Sequence, residues 1–541
     1  MSRVKRHWPL ICCVGVYWAL VMLLVNSSVT MNQGRLVYPL DDTYIHMAVA
    51  RNVVAHHVWG TTRYEFTSST SSPLWTLLLA GVYLLFGVND WWPLALDVIF
   101  GTLTVFVSYR LLGKYIASRS RVFVILLVAI LATPLPTLTV IGMEHVLHAL
   151  LSVLFLSMGV AMLSADGKAA PKRFAALAVL AALVVGARYE GIFLVLVVGV
   201  LFLLQRRVVQ ALALGVSALL PVSIYGAWCV SQGWYLLPNP VLLKGHLPQF
   251  SLAGVISLPG FGALSALQGT PHLLVLLTFS LFFLLCHYLS GASAWDEIRR
   301  ANLIFIGCLL LHMQFAATGW LYRYEAYLVL IGVLVIGITV NNLLPARIEW
   351  RARREALPLY GTAILLMMLA GMSLAQRMFA SLIITPQASR NIYEQQYQMG
   401  MFLKRYYPGR AVAVNDIGAV SYLADVRLLD LWGLANVDVA RLKLRGEFGS
   451  RAIDEVTRKQ GAVIAILYED WFKIKGVNGL PLEWIKAGQW SIPGNVACGS
   501  DTVSLYGLDP STGEELAENL RRFEGELPDD VAQAGVYVER R

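Results

Sequence analysis

The sequence predicts an α-helical polytopic membrane protein that ends in a small α/β domain. Three observations carry this expectation. The 541 residues are 57% hydrophobic and only 14% charged, where soluble domains carry about 25% charged residues. Apolar stretches of about 20 residues, the length that crosses a hydrocarbon core of about 30 Å, recur from residue 9 to residue 376. Beyond residue 377 the chain turns polar, with short strand-like runs, turn signals and a charged helical end.

Taken in order, "MSRVKRHW" precedes an apolar run from Pro9 to Thr30. That run is too long for the core of a signal peptide and lacks a small-residue cleavage site, so it reads as a retained first span. Arg3, Lys5 and Arg6 place the N-terminus in the cytoplasm, and residues 31–92 form a first loop outside. Within that loop "PLWTLLLAGVYLLFGV" (73–88) has about 16 residues, marginal for a crossing. Were it to cross, Arg110, Lys114, Arg119 and Arg121 would fall outside, against the rule that keeps basic loops inside. An interfacial or re-entrant helix is expected there instead.

Spans then follow at about 93–112, 121–141, 144–164, 174–188, 190–205, 208–230, 271–290, 302–321, 325–343 and 357–376. Each inside loop is basic: Lys168, Lys172 and Arg173; Arg206 and Arg207; Arg299 and Arg300; Arg347, Arg351, Arg353 and Arg354. The result is about eleven transmembrane helices with the C-terminus outside. Residues 1–377 form the membrane module. Residues 378–541 are enough for one extracytoplasmic α/β domain, with strands at "AVAV" and "AVIAILY", a turn at "YYPGR" and a helix at "EELAENLRRFEGEL".

The net charge of +9 follows from those inside loops, and no basic motif with interleaved aromatics points to nucleic acid. The six cysteines show no paired spacing for a zinc site or a disulfide framework. No glycine-rich nucleotide loop occurs.

The chemistry concentrates at one face. "YPLDDTYIHMAVARNVVAHHVWG" places Asp41 and Asp42 at the head of a helix just past the first span. One such acid is ordinary capping chemistry; the second is left for a general base that takes a hydroxyl proton. Glu144 and His145 open another span, Arg188 and Glu190 sit in "GARYEGIF", and Arg323 and Glu325 repeat that pattern in "LYRYEAYL". Ionisable residues at membrane depth are costly, and by default they mark function. The plain alternative is that each Arg–Glu pair neutralises itself or snorkels to the interface. Lys244 in "NPVLLKGH", with Tyr44 and His57 of the first loop, completes the candidate substrate-binding set. The "TSSTSSP" run reads mainly as helix capping, Asp416 as structural, and Trp59, Trp75, Trp91 and Trp92 as an interfacial belt. Acids beside arginines at an outer face suit a lipid-linked sugar phosphate, the arginines taking the phosphate and the acids the sugar end.

"DDTYIHMAVARN", "EFTSSTSSPLWTLLLAGVYLLFG", "GMEHVLHALL", "ARYEG", "LPNPVLLK" and "NDIGAVSYLADVRLLDLWGL" resemble segments of the GT-C superfamily of polytopic glycosyltransferases. The resemblance is to the arabinofuranosyltransferase-like and protein-mannosyltransferase-like branch. It implies transfer of a sugar from a polyprenyl-phosphate donor to a cell-envelope glycan, glycolipid or protein at the outer face of a bacterial plasma membrane. It implies Asp41 or Asp42 as catalytic base, Glu144 as a second acid, and Arg188 or Arg323 at the phosphate. Some members use a divalent metal and others do not; neighbouring carboxylates with His46, His57, His145 or His148 would be the ligands, and a metal-free site is the expectation. The competing readings are a lipid or solute transporter, disfavoured by charges gathered at one face rather than the midplane, and a scaffold, which leaves the clustered acids unexplained.

Overall fold

The computed structural model describes residues 3–165, 171–244, 270–289, 296–343, 357–473 and 479–538. Helices fall at the predicted spans: Arg3–Met31, Trp92–Tyr115, Arg119–Ala132 continued by Leu135–Ile141, His145–Ser164, Pro171–Ala187, Gly191–Leu204, Val208–Ser231, Pro271–Leu289, Asp296–Phe315, Ala326–Leu343 and Leu357–Ile392, although the span expected at 302–321 lies six residues earlier and the one expected at 357–376 ends sixteen residues later. Among the described residues, five are individually long and apolar enough to cross a membrane, the stretches Arg6–Met31, Trp92–Tyr115, Arg119–Ile141, His145–Ser164 and Val208–Ser231. Met22, Leu23, Val209 and Ile224 stand exposed on such helices, and Leu204 on the shorter apolar helix Gly191–Leu204. A water-soluble surface would not tolerate so continuous an apolar belt, whereas a bilayer covers it. The chain is a multi-pass membrane protein.

His145–Ser164 is the central helix. It is buried along most of its length and packs against Trp92–Tyr115, Pro171–Ala187, Asp296–Phe315 and Ala326–Leu343. Whatever stands at its N-terminus therefore lies at the middle of the bundle.

Pro73–Phe86 is a 14-residue helix, about 21 Å long and short of the hydrocarbon thickness. Proline at its first turn costs no hydrogen bond, and Ser72 caps it by accepting from the Trp75 N–H at 3.2 Å. The segment before it is irregular yet buried, with Thr67, Ser68, Ser69, Thr70 and Ser72 all inside. Their hydroxyls satisfy one another and nearby backbone, which lets a polar loop sit under the acid-headed helix Asp41–His56. The expected aromatic belt holds only in part. Trp91 is exposed, while Trp75 is fully buried and Trp59 donates to the Tyr225 hydroxyl within an aromatic cluster.

Leu357–Ile392 continues well beyond residue 378, so the expected domain boundary falls inside a helix. One π-helical turn, Tyr393–Tyr397, and the helix Gln398–Tyr406 carry the chain into a six-stranded mixed sheet. Its strands are β1 (Ala411–Val414), β2 (Arg427–Asp430), β3 (Ile464–Leu467), β4 (Ile485–Ser491), β5 (Thr502–Gly507) and β6 (Ala532–Gly535), in the order β2-β1-β3-β5-β4-β6. β2, β1 and β3 are parallel and the rest antiparallel. β3, "IAIL", is buried at every residue, as a strand covered on both faces must be. After β1 the short helix Gly418–Leu423 packs directly on Asp41–His56, and this contact joins the α/β domain to the membrane module.

Candidate active site

The structure sends the two adjacent aspartates in different directions. Asp42 lines a cavity of about 350 Å³ that it shares with His46, Ser69, Ser71, Arg188, Glu190, Arg323 and Tyr324, and with an apolar side formed by Ile192, Phe193, Val241 and Phe315. Arg323 donates from Nη2 to Asp42 Oδ2 at 2.5 Å. The arginine is 2% exposed and the aspartate 24%, so the ion pair opens to the cavity through its acid. Arg323 Nη1 points at the Met143 sulfur, 3.1 Å away. A thioether is a weak acceptor, so that donor gains by meeting a phosphate oxygen instead.

Asp41 does not line the cavity. Its carboxylate accepts from the backbone N–H of Gly418 at 2.5 Å and of Ala419 at 2.7 Å. An acid of the membrane module thus caps the first turn of a helix in the α/β domain. A Cβ on Gly418 would lie 1.9 Å from the Asp41 carbonyl oxygen, so only glycine admits this approach. Burial, then the charge of Asp416 and a hydrogen bond with it, push the Asp41 carboxyl well above the carboxylate range, against the pull of the two N–H groups. Two carboxyl groups joined by a hydrogen bond hold one proton between them. Asp416 also accepts from Gln396 at 2.7 Å and from the Tyr468 hydroxyl at 3.3 Å. The expectation that Asp416 is structural fits this joint.

Glu144 heads the central helix and is fully buried. It accepts from Arg188 Nη1 at 2.7 Å and from Ser71 at 3.4 Å, and its other oxygen is 3.5 Å from His46 Nε2. Burial lowers the pKa of His46 against the opposing pull of Glu144 and Asp42, and Thr76 and Thr70 hold its Nδ1 at 2.9 and 3.1 Å. Arg188 is the hub: Nη1 also lies 2.8 Å from His145 Nε2, and Nη2 donates to Glu190 at 2.6 Å. The guanidinium carbons of Arg188 and Arg323 stand 5.4 and 4.8 Å from the centre of the Tyr324 ring, whose face favours cations.

The two "RYE" turns therefore differ. Arg188 and Glu190 pair with each other, whereas Arg323 reaches Asp42 and Glu325 turns away to Arg377 and His272. Arg377 donates also to the carbonyls of Tyr322 and Ala132. It thereby braces a turn in which Trp320, Leu321 and Tyr322 all have positive φ, a costly run for residues with side chains. Glu325 thus holds Arg377 against the turn that precedes Arg323 and does not line the cavity. Arginines expected to be open to a phosphate are each already shared with an acid.

Two candidates lie elsewhere. Tyr44 is buried against Tyr38 and Tyr422, and its hydroxyl accepts from the Tyr38 N–H. His57 is exposed in a left-handed conformation at the far end of the acid-headed helix. Lys244 ends the short helix Asn239–Lys244, whose Pro240 and Val241 line the cavity, and its side chain lies outside the described residues. Among the described residues no group of three or more His, Cys, Asp or Glu converges as a metal-ligand set. Sequence reasoning missed Tyr324, Met143 and Arg377, and weighed His46 only as a metal ligand. A lone arginine inside the apolar run "GMSLAQRMFASLII" was the available signal for Arg377.

Residues 390–506, from the end of the last membrane helix to β5, match a family described as a domain of unknown function, DUF8728. No curated protein matches the chain by sequence. Among solved structures, the chain is similar to ArnT from Cupriavidus metallidurans in the apo state, at 14% identity and a TM-score of 0.51, over 92% of this chain and 98% of that one. ArnT bound to undecaprenyl phosphate gives 14% identity and a TM-score of 0.49 over 94% and 99%. The archaeal oligosaccharyltransferase AglB from Archaeoglobus fulgidus, in complex with an inhibitory peptide and a dolichol-phosphate, gives 11% and 0.45 over 92% and 75%. The likeness to apo ArnT is one of fold, a polytopic helical module followed by an α/β domain.

Proposed function

We propose that this protein is a glycosyltransferase of the bacterial plasma membrane. It moves a sugar from a polyprenyl-phosphate donor to a hydroxyl of a cell-envelope glycan, glycolipid or protein on the extracytoplasmic face. The N-terminus is cytoplasmic, the chain up to the end of the helix Leu357–Ile392 forms the catalytic module, and the sheet domain that follows is the outer domain. The observation that carries the reading is the cavity beside Asp42: an acid ion-paired to a buried arginine, with a polar side of Ser69, Ser71 and Glu190 and an apolar side of Phe193 and Phe315. A sugar suits the first side, and the start of a prenyl chain suits the second.

In the reaction the acceptor hydroxyl gives its proton to the Asp42 carboxylate as its oxygen bonds to the anomeric carbon. The bond from that carbon to the phosphate oxygen breaks, and its electron pair leaves with the polyprenyl phosphate. Arg323 stands where it can meet the growing charge, moving its Nη1 donor from the Met143 sulfur to phosphate oxygen. One displacement inverts the anomeric centre. Glu144, Arg188, His145 and Glu190 form a buried hydrogen-bonded frame that fixes the cavity wall.

The test is incubation of the protein in membranes with a panel of radiolabelled polyprenyl-phosphate sugars. One donor should be consumed by the wild type and spared by Asp42→Asn. Folded protein that consumes none, while moving a lipid or solute across vesicles, would support a transporter instead.

A further inference from the structure

Further along the acid-headed helix is a second cavity, also of about 350 Å³. Arg51 and His56 line it from that helix, Arg63 from the first loop, and Lys404 and Asp425 from the α/β domain. The active-site cavity sets two acids, Asp42 and Glu190, against two arginines, whereas this one carries Arg51, Arg63 and Lys404 against a single acid. Asp425 is the one carboxylate among the lining residues, and Arg63 already holds it at 2.7 Å. Lys404 is exposed, with no ion-pair or hydrogen-bond partner among the described residues.

Arg51 is the telling residue. It is half-buried, yet its hydrogen-bond partners among the described residues are neutral oxygens: the carbonyls of Tyr422 at 2.5 Å and Ser421 at 3.1 Å, and the side-chain oxygen of Asn52 at 3.4 Å. Asp425 is near enough to act on Arg51 but is held by Arg63, and a guanidinium withdrawn from water with no carboxylate hydrogen-bonded to it among the described residues gains from an anion that can approach. Lys404 and Arg51 face the same space from two domains, so an anion there would bridge the module and the sheet domain.

We infer that this cavity is a binding site for a phosphate or carboxylate group. Its size is that of a small-molecule site rather than of a bare ion. Arg51 lies nine residues after Asp42 on one helix, about 13 Å along its axis. On the transferase reading proposed above, the group belongs to the acceptor and holds its hydroxyl end within reach of Asp42. The binding itself does not depend on that reading.

The test uses the full-length protein in nanodiscs and reads binding without turnover. Glycerol 3-phosphate and glucuronate are titrated by calorimetry, and retention of phosphatidylglycerol from a phosphatidylcholine bilayer is read by native mass spectrometry. Lys404→Glu inserts a negative charge at an exposed position, and Arg63→Gln releases Asp425 into the cavity. Each should weaken binding about tenfold, the loss of one charge-assisted hydrogen bond, with the melting temperature kept. Loss in the soluble arm identifies a soluble or glycan-borne anion, and loss in the lipid arm alone identifies a headgroup. Binding by the wild type that both variants retain, or no binding in either arm, overturns the inference. The outcome stands apart from the donor assay, which Asp42→Asn decides.

Discussion

Asp41 and Asp42 are neighbours with separable duties, and replacing each in turn should separate stability from turnover. Asp41→Ala removes a carboxylate that accepts two backbone N–H groups at 2.5 and 2.7 Å and caps Gly418–Leu423. At about 1–2 kcal/mol for each bond, the loss is about 2–4 kcal/mol. For a domain of this size that corresponds to a fall of about 5–15 °C in its melting temperature. Asp42→Asn keeps the shape of its side chain and an oxygen for Arg323, and this pair opens to the cavity through its 24% exposed acid, unlike the fully buried Glu325–Arg377 pair, so stability should change by about 1–2 kcal/mol. Turnover should instead fall by about 10²- to 10⁴-fold, the usual contribution of a general base. The assays are thermal unfolding of the detergent-solubilised protein and sugar transfer from the donor that the panel identifies, at a temperature where both variants are folded. Should Asp41→Ala keep its melting temperature and lose turnover while Asp42→Asn stays active, the assignment of roles is refuted.

Other consequences follow from the same geometry. Gly418→Ala should reproduce the instability of Asp41→Ala, because its Cβ would collide with the Asp41 backbone; an unchanged melting curve would show that the joint yields freely. Glu325→Gln should destabilise by about 3–5 kcal/mol, since it leaves the buried Arg377 without its carboxylate, and urea titration measures this. The Asp41–Asp416 pair retains a proton that an unfolded aspartate releases near 3.8. Its contribution is therefore complete below 3.8 and is lost as pH rises through the higher folded value. Tyr468 and Cys498 face the pair, and burial pushes both of them up, so neither supplies a compensating charge. Melting temperature should fall with rising pH more steeply in the wild type than in Asp416→Asn, and parallel curves would contradict a shared proton.

The spans were legible because a bilayer imposes length and polarity on every crossing, and the basic loops then fix the register. The helix at 73–86 was legible as a short apolar run opened by a proline. The candidate site was legible only as a set of expensive charges on one face. Asp42 and Arg323 lie 281 positions apart, and their contact depends on how the bundle packs. Composition could not say which of two adjacent acids faces the cavity. Successive residues on a helix point about 100° apart, and what lies on each side is decided by the rest of the fold. Asp41 meets a glycine of the α/β domain, and nothing near residue 41 announces that partner. The second "RYE" turn misled by its likeness to the first, since the acid that completes it answers an arginine 52 residues later. Tyr44 and His57 were attractive through proximity in sequence, but one is packed into the core and the other sits at the exposed end of its helix.

The most direct measurement of the central claim is the position of a lipid phosphate. Undecaprenyl phosphate added to the protein in nanodiscs and located by cryo-electron microscopy should place its phosphorus in the Asp42 cavity. It should lie within hydrogen-bonding reach of Arg323 Nη1, with its chain leaving past Phe193 and Phe315. A phosphate found instead at the apolar groove of about 550 Å³ whose polar rim is Arg121 and Asn341, with the Asp42 cavity unfilled, would contradict the account.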